Sequence, residues 1–446
     1  MPPWTCGGGC PLFVWQVTDR LINMTRIYIY IDRSHHTAFS LPIILNVLMP
    51  TKLPRIHTTG WIGLGAMGHP MALNLFLKTH QFYQKVSPSI TPTFLFCEHE
   101  DSRAESFLRE LRNRGGQDLA SRAERVGSGK EMVMGASKVF TMLPSTPQVQ
   151  AVYLDQDNGI LAGLAKLPSN TPPLPETLLL SDTSLPSDTV TQGEKVKKEL
   201  TSTTDASSPA TEVSQVHTML VDQTTLDPTV SLSISSLIHD STSRAALMID
   251  APVSGGTVAA ERGELTIMFG SPAPIATRLA MPFLQMMARE GGVIECGGSG
   301  TGVGVKVCNN LVLASNQIAL SEGLALGRSL NIDIALLQSV INTSSGSSWS
   351  SRVNPPISSI PGTPASRGYS GGFQTRLMLK DVNLALQAAR KHNLATPLTS
   401  ASKNIYEAVC SDGDGQWASK DFSVAYEWVK KKQQAAMDMA WKDGLP

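Results

Sequence analysis

Lys306, Asn310 and Gln317 interrupt an otherwise apolar run, GVGVKVCNNLVLASNQIALSEGLALGRSLNI. Spacings of four and seven put the three on one stripe of a helix. Burial disfavours an ammonium, so a lysine there is driven toward a pKa useful for general acid and base catalysis. The alternative is a lysine near a helix start with its head in solvent. In DAPVSGG, Ser254, Gly255 and Gly256 follow a strand-like run, and their hydroxyl and exposed N–H groups suit a carboxylate. A plain flexible turn is the other reading. Gly63, Gly65 and Gly68 form G-x-G-x-x-G together with Leu64, Ala66 and Met67. The first glycine allows a tight turn, the second lets a pyrophosphate approach the backbone, and the third lets helix and strand pack closely. Glu98 follows the run TFLFC. A carboxylate there accepts hydrogen bonds from ribose hydroxyls and repels a 2′-phosphate, which favours NAD over NADP, unless Glu98 is simply a surface charge.

These residues need a strand, a glycine turn and a helix, and TTGWIGLGAMGHPMALNLFLKTH supplies that order, with Met71, Leu75 and Leu77 on the apolar side of the helix. The interval from Gly68 to Glu98 exceeds the usual one of about 20 residues, and YQKVSPSITPT reads as an inserted loop. Strand-like runs follow at 138–143, 219–221, 247–249, 265–269 and 293–296, mostly separated by helix-length segments. The alternation predicts an α/β fold with a Rossmann-type doubly wound sheet over 58–297. Residues 163–216 are rich in Ser, Thr and Pro and read as a disordered insertion. It contains SDTSLPSDTV, an echo of VDQTTLDPTV at 221–230, and the second copy is the one expected to be structural. After Gly297 the strand signals fade. A long helix, the loop INTSSGSSWSSRVNPP, and amphipathic helices KDVNLALQAARKHNL and DFSVAYEWVKKKQQAAM predict an all-α domain over 298–446.

The chain has 446 residues, with 37 Lys and Arg against 37 Asp and Glu, so no electrostatic footprint for nucleic acid is expected. The Cys residues at 6, 10, 97, 296, 308 and 410 form no zinc-type spacing, and no metal is expected. The apolar stretch 39–49 contains a proline and falls short of the ~20 residues a membrane span needs, so no membrane partner is expected. Residues 1–57 carry few acids and scattered arginines, which is compatible with a mitochondrial transit peptide and otherwise with a poorly ordered leader on a cytoplasmic protein. The apolar character of the helix at 305–328 favours a homo-oligomer, dimer or tetramer.

Taken together, GWIGLGAMGHPMALNL, TMLPST, DQTTLDP, DAPVSGGTVAAERGELTIMFG, GTGVGVKVCNN, SSGSSWSS and GGFQTRLMLKDVNLA give the chain a family likeness. It resembles the β-hydroxyacid dehydrogenases, and within them the 3-hydroxyisobutyrate branch, over residues 58 to about 430. The resemblance implies that Lys306 is the catalytic lysine, that Ser254, Gly255 and Gly256 bind the substrate carboxylate, and that Asn310 holds the hydroxyl side. Lys380 would approach cofactor and substrate from the helical domain. Gly63, Leu64, Gly65, Ala66, Met67, Gly68, Leu143, Pro144 and Thr225 would line the NAD site, with Trp349 a pocket-wall candidate. Gln148 replaces the Asn usual beside the nicotinamide, and neither 163–216 nor the first 57 residues belong to the shared pattern. The implied reaction is NAD-dependent oxidation of a small 3-hydroxy acid. The alternatives are sibling activities on tartronate or succinic semialdehyde, and a non-catalytic NAD(P)-binding interaction protein.

Overall fold

The computed structural model describes residues 55–175 and 216–442. The expected leader up to residue 54, the stretch 176–215 of the expected insertion and the echo SDTSLPSDTV lie outside the described residues.

Nine strands, β1 (Thr58–Ile62), β2 (Thr93–Cys97), β3 (Ala123–Arg125), β4 (Lys138–Thr141), β5 (Thr218–Asp222), β6 (Ala246–Asp250), β7 (Val253–Ser254), β8 (Leu265–Gly270) and β9 (Ala288–Gly297), form one sheet. The order β3-β2-β1-β4-β5-β6 is parallel throughout; β8 then runs antiparallel to β6 and β7, and β9 runs parallel to β8. All five residues of each of β1, β5 and β6 are buried. Continuous apolar strands of this kind belong inside a parallel sheet covered on both faces. Trp61 and Phe140 stack on β1 and β4, 6.2 Å between ring centroids. The strand order reverses between β1 and β4, the switch point outside whose carboxyl ends ligands bind in such sheets.

The helices around the sheet are α1 (Gly68–Val86), α2 (Asp101–Ser121), α3 (Gly129–Gly135), α4 (Thr146–Leu154), α5 (Ile160–Leu164), α6 (Pro228–Ser241), α7 (Gly256–Arg262) and α8 (Pro274–Gln285). After the sheet come α9 (Thr301–Ser329), α10 (Ile334–Thr343), α11 (Trp349–Arg352), α12 (Thr375–Lys391), α13 (Pro397–Ser411) and α14 (Ala425–Lys442). The architecture is therefore a Rossmann-like α/β domain followed by a helical one. Among the described residues no helix is long and apolar enough to cross a membrane.

Several local expectations change. Arg55, within the last three residues of the expected leader, is packed: its guanidinium donates to the carbonyls of Val133 (2.7 Å) and His217 (2.8 Å) and to Thr218 Oγ1 (2.6 Å). Residues 163–175 are packed too, since the Leu174 N–H pairs with the Val216 carbonyl at 2.7 Å. The first four residues of the expected loop YQKVSPSITPT are helix, because α1 runs on to Val86 before the chain turns. Strand β4 stops at Thr141, short of 143, because the Leu143 N–H turns to Thr224 Oγ1 at 3.0 Å. The expected loop at 341–356 holds the last three residues of α10 and the single turn α11, which Ser348 and Ser351 close with a reciprocal capping box.

Candidate active site

The loop after β1 is built from backbone constraints. Gly63 has φ +96°, and a methyl group there would strike the Met142 carbonyl oxygen. One at Gly68 would strike the Gly63 carbonyl oxygen. At Gly65 nothing lies within 4 Å of where a Cβ would be. Helix α1 begins beside that space with no side-chain cap. Free N–H groups and the helix dipole make such an end an anion site, so the loop fits a dinucleotide pyrophosphate. Leu64 is 2% exposed, so its side chain belongs to the core and only its backbone faces the loop. The Leu64 N–H donates to Glu98 Oε2 at 2.9 Å, which brings the carboxylate at the end of β2 against the glycine turn. Arg125 donates to the Glu98 carbonyl at 2.6 and 2.9 Å and to Asp101 at 2.6 Å.

The loops after β4 and β5 meet at Lys380. Its ammonium donates to the carbonyls of Thr225 (2.9 Å) and Pro144 (3.4 Å), two positions expected to line the cofactor site. Helix α12 is thus held against these loops, and a second lysine, Lys391, ties it to Asp227 Oδ2 at 3.0 Å. Met67 and Leu143 are half-buried, and Ala66 is exposed. Gln148 is exposed on α4, where its amide oxygen accepts from Ser145 at 2.5 Å. Trp349 is half-exposed at the start of α11.

Ser254 ends β7, and Gly255 and Gly256 lead into α7 with φ of +140° and +71°. Nothing lies within 4 Å of the Cβ position of Gly256, and a turn of this kind has the backbone N–H groups and hydroxyl that suit a carboxylate.

Helix α9 carries the polar stripe. Lys306 is 7% exposed, Asn310 1% and Gln317 0%. Burial lowers the Lys306 ammonium to a pKa of about 8, with Asp381 opposing the fall and Lys380 adding to it. The amide of Asn310, one turn on, donates to Asp381 Oδ2 at 2.5 Å. Helix α9 itself is positioned by Asp250 at the end of β6, whose two oxygens accept from the N–H groups of Gly300 (2.6 Å) and Val303 (2.8 Å). Burial raises the Asp250 carboxyl to about 6. Asp222, opposite it at the end of β5, is raised to about 6 by the same cause and accepts from Thr141 at 2.8 Å.

Asp250, Asp222 and Asp381 were not among the expected site residues. Asp381 had a signal: it stands between Met378 and Val382 on the apolar face of an amphipathic helix, where a charge is out of place. Asp250 and Asp222 each end a strand, and nothing in their local pattern separates them from ordinary turn residues. A small pocket lined by Ile56, Tyr83, Lys138, Leu174, Pro175, Leu279 and Phe283 lies at the other end of the sheet and has no part in this site.

Residues 58–168 and 186–298 match the family described as the NAD binding domain of 6-phosphogluconate dehydrogenase. Residues 300–429 match the one described as NAD-binding of NADP-dependent 3-hydroxyisobutyrate dehydrogenase. Fold and matches together define an NAD(P)-binding oxidoreductase acting on a CH–OH group. The chain is 32% identical to a probable mitochondrial 3-hydroxyisobutyrate dehydrogenase of Dictyostelium discoideum over 84% of this chain and 91% of that protein. It is 31% identical to an NAD-dependent L-serine dehydrogenase of Pseudomonas aeruginosa over 82% and 95%. A 3-hydroxyisobutyrate dehydrogenase structure from Mycobacterium tuberculosis with L-serine matches with a TM-score of 0.60 and 26% identity over 84% and 99%. The chain belongs to the 3-hydroxyisobutyrate dehydrogenase family of β-hydroxyacid dehydrogenases. Its reactants are a small hydroxy acid and NAD(P).

Proposed function

We propose that the protein oxidises 3-hydroxyisobutyrate to methylmalonate semialdehyde, a step of valine breakdown, with NAD as the acceptor and Lys306 as the acid/base. The observation that carries this reading is the buried Lys306, lowered to about 8, with Asn310 one helical turn away. A bound nicotinamide would supply the hydride acceptor for the carbinol carbon. Lys306, as the neutral amine, accepts the hydroxyl proton in oxidation and returns it to the carbonyl oxygen in reduction. Asn310 holds the hydroxyl side, and Ser254 with the N–H groups of Gly255 and Gly256 holds the carboxylate. Gly63, Gly65 and Gly68 seat the pyrophosphate. Glu98 selects NAD by hydrogen-bonding the ribose and repelling a 2′-phosphate.

A second reading, oxidation of L-serine, is favoured by the Pseudomonas aeruginosa relative at nearly the same identity and coverage. Absorbance of NADH with 3-hydroxyisobutyrate, L-serine, glycerate and 4-hydroxybutyrate separates the readings. The expected outcome is the highest kcat/KM with 3-hydroxyisobutyrate and NAD. A higher value with serine moves the substrate, and an equal or higher value with NADP overturns the role of Glu98. The mitochondrial address in the relative's name and the acid-poor leader support mitochondrial placement; cell fractionation that leaves the chain in the cytosol would remove it.

A further inference from the structure

Helices α9 and α12 bring together a buried carboxylate, Asp381, the buried Lys306 and the partly exposed Lys380. Asp381 is 1% exposed and has Lys380 Nζ 3.4 Å from Oδ1. Its Oδ2 takes the Asn310 amide N–H, while Asn309 Nδ2 donates to the Asn310 oxygen at 3.0 Å. A carboxylate only accepts, so these two neighbours decide which end of the Asn310 amide is nitrogen and which is oxygen. One N–H and one lone pair of that amide remain for a ligand. Lys380 spends its other contacts on the carbonyls of Thr225 and Pro144, which offer partial charges only.

We infer that Asp381 is the positioning residue of this site: it orients the Asn310 amide and supplies the single carboxylate against which the Lys306 and Lys380 ammonium groups are set. The two cations repel, and the buried ammonium of Lys306 is costly without a counter-charge. The charged groups acting on Lys306 are Asp381, which holds its basicity up, and Lys380, which pushes it down. With Asp381 replaced by a neutral side chain, Lys306 would lose its proton at a lower pH and return it poorly to a carbonyl oxygen. The Asn310 amide would also be free to flip. Asp381 acts through these two residues and need not touch the substrate.

The inference rests on the acid/base role given to Lys306, and a readout that needs no substrate separates the two. In the full chain labelled with [ε-13C]lysine, the Lys306 resonance is assigned by its loss in Lys306→Met and titrated by NMR. The parent midpoint is expected near 8. A midpoint near the ordinary lysine value would refute the acid/base reading itself. In Asp381→Asn the midpoint is expected to fall by roughly one pH unit, and the pH profile of kcat to move acid with it. Turnover at pH 8 should drop roughly tenfold to a hundredfold. Asp381→Glu, which keeps the charge but displaces it, should restore the midpoint without restoring full turnover. Lys380→Met removes the opposing charge and should move the midpoint upward, which tests the electrostatics even if Asp381→Asn does not fold. A Lys306 midpoint unmoved in Asp381→Asn overturns the inference. If that variant is unfolded, an unmoved midpoint in Lys380→Met overturns it.

Discussion

Lys306 and Asn310 stand one turn apart on a helix whose neighbouring positions are apolar, and both are buried. That placement makes proton transfer, not binding, the quantity that depends on Lys306. Lys306→Ala is expected to lower turnover by ~10²–10⁴-fold, the range for a positioned acid/base group. NADH affinity, read by fluorescence titration, should stay within roughly threefold, because the glycine loop and Glu98 lie on other elements. Oxidation by the parent should accelerate as pH rises through about 8, where Lys306 gives up its proton, and the variant should lack that limb. Turnover within about tenfold of the parent would refute the assignment. The stripe of Lys306, Asn310 and Gln317 was legible because helical period alone puts them on one face. Their partner Asp381 lies 71 positions after Asn310. Only the packing of α9 on α12 joins them, and no local spacing encodes that.

The elements that present these groups are fixed by close backbone approach as much as by apolar burial. Asp250 accepts from two N–H groups at the start of α9, and Gly302 sits where α9 touches the sheet. A Cβ at Gly302 would lie within 3.0 Å of the Met268 and Asp250 carbonyl oxygens and the Gly270 nitrogen, all of them backbone. Gly304, two residues on, has nothing within 4 Å of the same position. Gly302→Ala should therefore cost about 1–3 kcal/mol or more in urea unfolding, since packed backbone cannot give way as a side chain can. It should also reduce turnover by pushing Lys306 out of place. Gly304→Ala should gain roughly 0.5–1 kcal/mol, the usual effect of replacing glycine inside a helix. Equal stability of the two variants would show that α9 is not seated by this contact. Strands β2, β5, β6 and β8 were legible from apolar runs bounded by turn residues, and the long helix from its length. The single turn α11 was not, because Ser348 and Ser351 hold it through side-chain hydrogen bonds that carry no hydrophobic pattern. Strand β9 begins at Ala288, before the run 293–296, because its first half is an exposed stretch holding Arg289, Glu290 and a left-handed Gly291.

At the scale of the molecule, the helical part leaves apolar surface uncovered among the described residues. No residue of α10 is buried, although its sequence is IALLQSVINT. Leu326 and Leu330 at the end of α9 and Leu336 on α10 are each about 60% exposed, with Ile332 and Val340 beside them. Scattered exposed leucines are ordinary, but five large apolar side chains within fifteen residues are the kind of patch that marks interaction surfaces. We propose that a second copy of the chain covers it. A two-fold dimer uses the same patch on both copies, and stable interfaces bury roughly 1,200–2,000 Å² in total. Light scattering of the parent should give a multiple of the 47.9 kDa chain mass. Replacing Leu330 and Leu336 together by Glu would set like charges against each other across a two-fold axis and leave carboxylates in an apolar contact. That variant should scatter as a monomer while keeping its circular dichroism, because neither side chain belongs to the core. A parent that is monomeric at micromolar concentration would remove the assembly, and so would a double variant with unchanged mass.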